Sequence, residues 1–206
     1  MPGMALGITY FVACVRRSSS LFFQAENLMK TVSSDIVWRG SSWRLRVDEL
    51  ETEAGERVKK GVIEHPGVVV LVPLQSGENG PEVVMLRQYR LALGETILEV
   101  PAGTRGWDEE WLVCAQRELR EETGFRAASF HLLGEFWASP GLSNELMRLY
   151  VATELEADPL PGDPDEQIEL ETWPLAELVQ MAQHGRLHDA KSVVGILQTA
   201  VFLNTP

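Results

Sequence analysis

Cysteine is scarce in this sequence: Cys14 and Cys114 are the only two among its 206 residues. They lie a hundred residues apart and belong to no CxxC motif or Cys/His cluster, so the sequence shows neither a disulfide framework nor the ligand spacing of a zinc site. This cysteine usage is typical of a reducing compartment, and we expect a cytoplasmic protein.

Positive charge and long apolar runs are also lacking. The 18 basic side chains are outnumbered by 30 acidic ones, which gives a net charge of −12, whereas contact with nucleic-acid phosphates requires clustered Lys and Arg. No apolar run approaches the roughly 20 residues of a membrane-spanning helix. The longest, residues 8–15, precedes Arg16 and Arg17, which is the reverse of a secretory signal. We therefore expect neither a nucleic acid nor a membrane as a partner.

What is present is the composition of a folded domain. Hydrophobic residues make up 45% and charged residues 23% of the chain, proportions that exclude a disordered or low-complexity protein. The length fits one domain, alone or with a small appendage. We expect residues 1–30 to form a disordered N-terminal extension, with a targeting peptide or an extra strand as alternatives. Residues 31–64 are expected to form a β-strand region and residues 65–206 the main domain.

Hydrophobic periodicity predicts a mixed α/β layered domain. The N-terminal region alternates apolar and charged residues with the period of a half-buried sheet, whereas residues 68–72 form a continuous run of Val and Leu, typical of a strand covered on both faces. Helical composition over residues 108–123 ends before Gly124, a favourable residue after a helix. Further strands are predicted at residues 130–137, 146–155 and 168–173, and helices at residues 175–183 and 189–203.

Three carboxylates crowd one side of the first predicted helix. At about 100° per residue, Glu121 and Glu122 fall within about 60° of Glu118. Glu118 and Glu122 are four residues apart, and such a like-charge pair costs about 0.2–0.5 kcal/mol in an isolated helix. A solvated acidic face is one explanation. The alternative is a hard divalent cation such as Mg²⁺, which prefers a few carboxylates together with substrate phosphate and water.

The residues around this helix follow a dense pattern of fixed spacing. Its members are Gly103, Glu109, Arg117-Glu118-Leu119, Glu121-Glu122, Gly124 and Phe125. The pattern resembles a complete Nudix box, with every specified position filled over 23 residues. The resemblance implies a Nudix-type α/β/α sandwich with a mixed sheet, plus a small N-terminal antiparallel strand region, and it makes residues 65–206 the catalytic domain.

The resemblance also implies which residues hold the cofactor, Mg²⁺ or Mn²⁺, against a diphosphate. Glu118 and Glu122 would be the principal metal ligands, and Glu121 would share that work and take part in catalysis. The carbonyl oxygen of Ala102 would complete the metal shell. Arg117 is expected to contribute to catalysis by orienting the carboxylates.

Segments outside the box resemble the ADP-ribose pyrophosphatases of the same family. They are Arg87-Gln88-Tyr89-Arg90, Leu98-Glu99-Val100-Pro101-Ala102-Gly103, Ser139-Pro140-Gly141 and Ser143-Asn144-Glu145. This resemblance implies Mg-dependent hydrolysis of ADP-ribose to AMP and ribose 5-phosphate. Two alternatives stay open: a pyrophosphatase for another nucleoside diphosphate sugar, such as GDP-mannose or ADP-glucose, and a catalytically silent ADP-ribose-binding module.

Five residues are candidates for contact with the nucleotide sugar. Arg87 or Arg90 could donate two parallel hydrogen bonds to diphosphate oxygens. Glu99 and Glu145 are candidates for polar contacts, with structural salt bridges as the alternative. Trp38 is a candidate for stacking on the base, with core or interface packing as the alternative. In the family the N-terminal strands exchange across a dimer and help to close the adenosine pocket, which implies a homodimer.

A general base outside the metal helix would complete the site. The family places this carboxylate in an acidic loop before a late strand, and residues 163–169 occupy that place here. The resemblance therefore implies Glu166 as the base, with Glu169 second because it falls within the predicted strand.

Overall fold

The computed structural model describes residues 29–162 and 167–204. The strands are β1 (Met29–Arg39), β2 (Arg44–Thr52), β3 (Arg57–Glu64), β4 (Val68–Gly77), β5 (Gly80–Arg90), β6 (Glu95–Glu99), β7 (Ala102–Thr104), β8 (Phe125–Trp137), β9 (Leu146–Ala157) and β10 (Ile168–Pro174). The helices are α1 (Trp111–Thr123), α2 (Leu175–Gln183) and α3 (Ala190–Asn204). Of the predicted N-terminal extension, residues 1–28 lie outside the described residues, and residues 29 and 30 belong to β1.

A seven-stranded mixed sheet forms the centre of the fold. Its main order is β10-β5-β4-β9-β8, with β6 paired to β5 and β7 paired to β4. Strand β4 is parallel to β9 and antiparallel to β5 and β7. The mixed sheet is therefore as predicted, and β4 is its best-covered strand.

The two faces of β4 explain its uninterrupted apolar sequence. Val69 and Leu71 pack with Leu119 of α1 on one face. Val70 and Val72 pack on the opposite face with the layer that α2 and α3 supply, including Ile196. Because successive side chains of a strand point to opposite faces, a strand covered on both sides needs apolar residues at every position. Helices lie on both faces of the sheet, which confirms the predicted α/β/α sandwich.

A separate antiparallel sheet, in the order β1-β2-β3, carries the N-terminal residues of the described chain. It joins the larger fold through Ile63, whose backbone N–H donates to the carbonyl of Leu142 at 3.0 Å and whose carbonyl accepts from the N–H of Asn144 at 3.2 Å. This sheet is the predicted small N-terminal strand region.

Two predicted boundaries are wrong. The helix begins at Trp111 rather than at residue 108, because Glu109 donates its N–H to the carbonyl of Gly106 and closes a turn before the helix. Strand β8 begins at Phe125 rather than at residue 130. Between β6 and the helix, Ala102–Thr104 forms the short strand β7 against β4. This short strand brings the backbone before the helix directly against the carboxylates described below.

Candidate metal and diphosphate site

Helix α1 places its carboxylates at the border between its buried stripe and a cleft. Ala115 and Leu119 are fully buried, and Gly124 ends the helix in the left-handed conformation, with φ 74°, while its N–H donates to the carbonyl of Arg120 at 3.1 Å. A left-handed residue after the last turn satisfies a carbonyl that would otherwise lack a donor. The position of the helix is thus fixed by apolar packing and by its glycine end.

The cleft beside α1 has a volume of about 570 Å³. Its walls come from the β1–β2 turn, from β7 with the loop after it, and from α1. The charged residues that line it are Arg90, Arg105, Glu109, Arg117, Glu118 and Glu121. A larger cavity of about 710 Å³ lies at the β4–β5 hairpin, but Glu154 is the one ionisable residue among the described residues that line it. Of these two cavities, the cleft is therefore the one in which ionisable side chains are concentrated.

Arg117 connects three of these carboxylates. Its Nε and Nη2 donate to the two oxygens of Glu109 at 2.9 and 3.0 Å, and its Nη1 donates to Glu118 at 2.7 Å and to Glu121 at 2.8 Å. These contacts raise the pKa of Arg117, with the bond to Glu109 the largest cause. In the part of the chain that the structure describes, no three acidic, His or Cys side chains are placed to hold a metal ion as they stand.

The glycine of β7 makes room for the carboxylate of Glu118. A Cβ atom added to Gly103 would lie 1.8 Å from the carboxyl carbon of Glu118, so the carboxylate occupies space that any other residue would fill. On the neighbouring residue, the N–H of Ala102 donates to Oε2 of Glu122 at 2.9 Å. Glu122 is 7% exposed and is not among the residues that line the cleft. Carboxylates are hard oxygen donors of the kind that Mg²⁺ and Mn²⁺ prefer, so the chemistry of Glu118, Glu121 and Glu122 fits such a cation.

The structure distinguishes between the two candidate arginines. Arg90 lines the cleft, whereas Arg87 pairs with Glu171 on β10 and is absent from the cleft lining. Glu99 is 1% exposed, and its two oxygens accept from Nε and Nη2 of Arg90 at 2.6 and 2.7 Å. Of the two roles left open for Glu99, the structural salt bridge is the one that the geometry favours.

Three further predicted residues, Glu145, Trp38 and Glu169, are not among those that line the cleft. Glu145 lies near His65, with 3.7 Å between Oε1 and Nε2, and burial raises the pKa of its carboxyl. Trp38 packs on Trp43, with 4.2 Å between the ring centroids. Glu169 is exposed on β10. Glu166 lies outside the described residues.

Sequence reasoning did not identify several residues of the cleft and its surroundings. Ser41 and Ser42 reach it from the β1–β2 turn, and Trp107 lines it while the guanidinium of Arg44 lies 3.8 Å from the centre of its ring. No local signal marks the two serines, because the turn meets the cleft only after the chain has folded. Trp107 occupies a position at which the box pattern requires no particular residue. Its location between Gly103 and Glu109 was the feature of the sequence that could have identified it as a cleft residue.

We predict that acid lowers the free energy of unfolding through the ion pair of Glu109 and Arg117. Hydrogen bonds from Arg117, and a further one from the N–H of Gly106, lower the pKa of Glu109 from 4.5 to about 2. A carboxyl with a lowered folded-state pKa stabilises the fold fully above its unfolded pKa, and this stabilisation is lost as the pH falls through the folded value. We expect Glu109 to contribute on the order of 1 kcal/mol to the free energy of unfolding, lost between about pH 4.5 and pH 2, after allowance for solvent screening.

Urea unfolding of the unaltered chain and of Glu109→Gln across this pH range measures the effect. Because glutamine does not titrate, the difference between the two unfolding free energies should shrink as the pH falls towards about 2. A difference that stays constant over the whole range would contradict the assignment of the lowered pKa to this pair.

The NUDIX domain model matches residues 64–193 of this chain. The matched span contains Arg90, the β7 backbone and the α1 carboxylates. The chain therefore carries the family's sequence features over the same segment that forms the cleft.

Relatives with assigned names fall into more than one class. A methanol dehydrogenase activator from Bacillus methanolicus is 35% identical over 169 residues, which cover 81% of this chain and 90% of the relative. An ADP-ribose pyrophosphatase from Bacillus subtilis (strain 168) is 31% identical over 170 residues, which cover 81% of this chain and 90% of the relative. A GDP-mannose pyrophosphatase from Cronobacter sakazakii (strain ATCC BAA-894) is 33% identical over 121 residues, which cover 54% of this chain and 63% of the relative. The similarity to ADP-ribose pyrophosphatases that the sequence predicts is confirmed.

A solved structure supports the fold. The crystal structure of an ADP compounds hydrolase matches with a TM-score of 0.73 and 23% sequence identity, covering 90% of this chain and 97% of that chain. Likeness at this identity concerns the fold alone, and it confirms the predicted fold class. Within the described residues, none of the helices combines the length and the apolar character needed to cross a membrane.

Proposed function

Since this chain belongs to the NUDIX domain family, we propose that it hydrolyses the diphosphate bond of ADP-ribose, with Mg²⁺ or Mn²⁺ as cofactor, and releases AMP and ribose 5-phosphate. The observation that carries the proposal is that Arg90 and the α1 carboxylates Glu118 and Glu121 line one cleft. A diphosphate needs both kinds of group, because its oxygens bind a guanidinium directly and bind carboxylates only through a cation.

The residues that would hold the cation are Glu118, Glu121, Glu122 and the carbonyl of Ala102. Gly103 supports the assignment, since the absence of a side chain there lets Glu118 lie against β7. The chemistry that a bound divalent cation supplies is neutralisation of the diphosphate charge and a lower pKa for the attacking water.

Arg90 and Arg117 have different tasks in this proposal. Arg90, held in place by Glu99, donates to oxygens of the diphosphate and keeps the phosphorus in line for attack. Arg117 lies among Glu109, Glu118 and Glu121 and fixes the directions of their carboxylates. Arg87, paired with Glu171, is not part of the proposed site.

Hydrolysis requires a base that takes a proton from water as its oxygen bonds to phosphorus. The bond from that phosphorus to the bridging oxygen breaks, and the second phosphate leaves with the bridging oxygen. We keep Glu166 as the proposed base, with Glu169 second. Strand β10 begins at Ile168 opposite Gln88, two residues from Arg90, so the start of β10 lies at the end of the sheet that carries the proposed diphosphate contact.

Two alternatives compete with this proposal. The GDP-mannose pyrophosphatase relative supports a different nucleoside diphosphate sugar as substrate. The relative named as a methanol dehydrogenase activator supports a protein that acts on a partner enzyme. Retention of Glu118, Glu121 and Glu122 favours hydrolysis over a silent module. The homodimer, the cytoplasmic location, and the roles of Trp38 and Glu145 in binding stay predictions.

Incubation of the purified chain with ADP-ribose, GDP-mannose and ADP-glucose, each with Mg²⁺ and each with EDTA, tests the proposal. We expect Mg-dependent release of AMP from ADP-ribose, with kcat/KM at least about tenfold above that for the other two sugars. Faster turnover of GDP-mannose would mean that GDP-mannose, not ADP-ribose, is the substrate. If none of the three sugars released a nucleoside monophosphate in a metal-dependent way, a silent module would be favoured.

A further inference from the structure

A partly buried ion-pair cluster connects the start of α3 to the cleft. It consists of Arg90 and Glu99 on β5 and β6, and of Asp189, Lys191 and Ser192 at the start of α3. No sequence signal marks the last three residues, which lie about ninety positions from Glu99. Four of the five side chains can carry a charge, so they require mutual compensation inside the protein.

Glu99 is the centre of the cluster. One oxygen accepts from Nε of Arg90, and the other accepts from Nη2 of Arg90 and from Nζ of Lys191. Burial by itself would raise the pKa of this carboxyl, but the two cations hold it below its ordinary value. Glu99 is therefore an anion shared between an arginine of the cleft and a lysine of the C-terminal helix.

The start of α3 fixes the position of Lys191. Asp189 accepts through Oδ2 from Nζ of Lys191 at 3.0 Å, from the N–H of Ser192 at 3.0 Å and from the hydroxyl of Ser192 at 2.5 Å. An aspartate before the first helical residue that accepts from the third N–H is a helix cap. The N–H of Val100 in turn donates to Oγ of Ser192 at 2.8 Å, which ties the cap to the residue after β6.

We propose that Lys191 is a positioning residue for the diphosphate contact, acting on Arg90 through Glu99. Arg90 engages Glu99 with Nε and Nη2, so Nη1 lies outside this pair, on a side chain that lines the cleft. Lys191 compensates part of the charge of Glu99. Without it, Arg90 alone would balance a buried carboxylate, and its guanidinium would be drawn towards Glu99 and attract a diphosphate less strongly.

This proposal rests on the proposed function, because it assumes a diphosphate in the cleft. Four variants test it: Lys191→Met, Glu99→Gln, the double variant Lys191→Met with Glu99→Gln, and Lys59→Met as a control. Lys59 is exposed on β3, so its replacement changes the net charge by the same amount away from the cleft. The measurements are KM and kcat for ADP-ribose with Mg²⁺, the Kd of magnesium pyrophosphate by calorimetry, and the melting temperature.

In Lys191→Met we expect KM for ADP-ribose and the Kd of pyrophosphate each to rise about tenfold, the size expected for one charged hydrogen bond, while kcat changes less than about threefold. The double variant should bind pyrophosphate within about threefold of Glu99→Gln alone, since the Glu99→Gln change leaves no charge there for a lysine to balance. Lys59→Met should match the unaltered chain.

A folded Lys191→Met variant with unchanged KM and Kd would overturn the proposal, as would a fall in kcat at constant KM. If Lys191→Met does not fold, the double variant decides, because a folded double variant that binds pyrophosphate about tenfold more weakly than Glu99→Gln alone means that Lys191 does not act through Glu99. If the unaltered chain binds pyrophosphate but does not hydrolyse ADP-ribose, the proposed function fails. The Kd of magnesium pyrophosphate still tests the role of Lys191 in that case.

Discussion

The Glu122→Gln variant is expected to release AMP from ADP-ribose about a thousandfold more slowly than the unaltered chain, since loss of a metal-ligating carboxylate removes roughly 4 kcal/mol of transition-state stabilisation. Glutamine has nearly the same shape and keeps an oxygen that can accept from the N–H of Ala102, so the fold should persist. Initial rates of AMP release at saturating Mg²⁺, together with the melting temperature, measure the effect.

Glu110→Gln is the matched control for this experiment. Glu110 directly precedes α1, is exposed, and does not line the cleft. Its replacement removes the same charge at the opposite end of α1, so a change of net charge alone should leave AMP release within about twofold. Equal rates for Glu122→Gln and Glu110→Gln would mean that Glu122 holds no ion needed for hydrolysis.

The Gly103→Ala variant is expected to lose about a hundredfold in kcat while its unfolding free energy changes by less than about 1.5 kcal/mol. The added methyl group would meet the carboxyl group of Glu118, with 1.8 Å between Cβ and the carboxyl carbon. A carboxyl at the end of a flexible side chain can rotate away, so the fold survives. The carboxylate, however, leaves its place against β7, and a displaced ligand costs activity.

Gly134→Ala provides the control for Gly103→Ala. Gly134 also lies in a strand, β8, and a Cβ added there meets nothing within 4 Å. We expect unchanged AMP release and a small change in stability. Full activity in Gly103→Ala would show that the position of Glu118 against β7 is not required for hydrolysis, whereas a large fall in melting temperature would show that the backbone, not the carboxylate, gives way.

Two kinds of positive charge can offset the repulsion among the α1 carboxylates: a bound cation and the guanidinium of Arg117. From the sequence, Glu118 and Glu122 four residues apart favour a cation. In the structure Arg117, on the same helix, already donates to Glu118 and Glu121 and offsets part of their repulsion. Like-charge spacing is therefore a weaker indication of a metal than the sequence alone suggests. The close approach of Glu118 to Gly103 and of Glu122 to Ala102 supports the metal site independently.

The sequence by itself determined the parts of this protein whose physical cause is local. The valine-rich run of β4 required cover on both faces, and Gly124 required a helix end, so the layers and the end of α1 could be predicted. The fixed spacing from Gly103 to Phe125 determined the family, because a helix and its flanking loops carry all of those residues within one continuous segment.

Only the tertiary structure decided which side chains meet across that segment. Arg87 and Arg90 look equivalent in sequence, but the pairing of β10 with β5 gives Arg87 a partner in Glu171 and leaves Arg90 in the cleft. Glu99 meets Lys191 because the cap of α3 is bonded to the end of β6. Contacts between distant residues depend on strand register and helix packing, and neither is encoded in the local spacing from which the site was predicted.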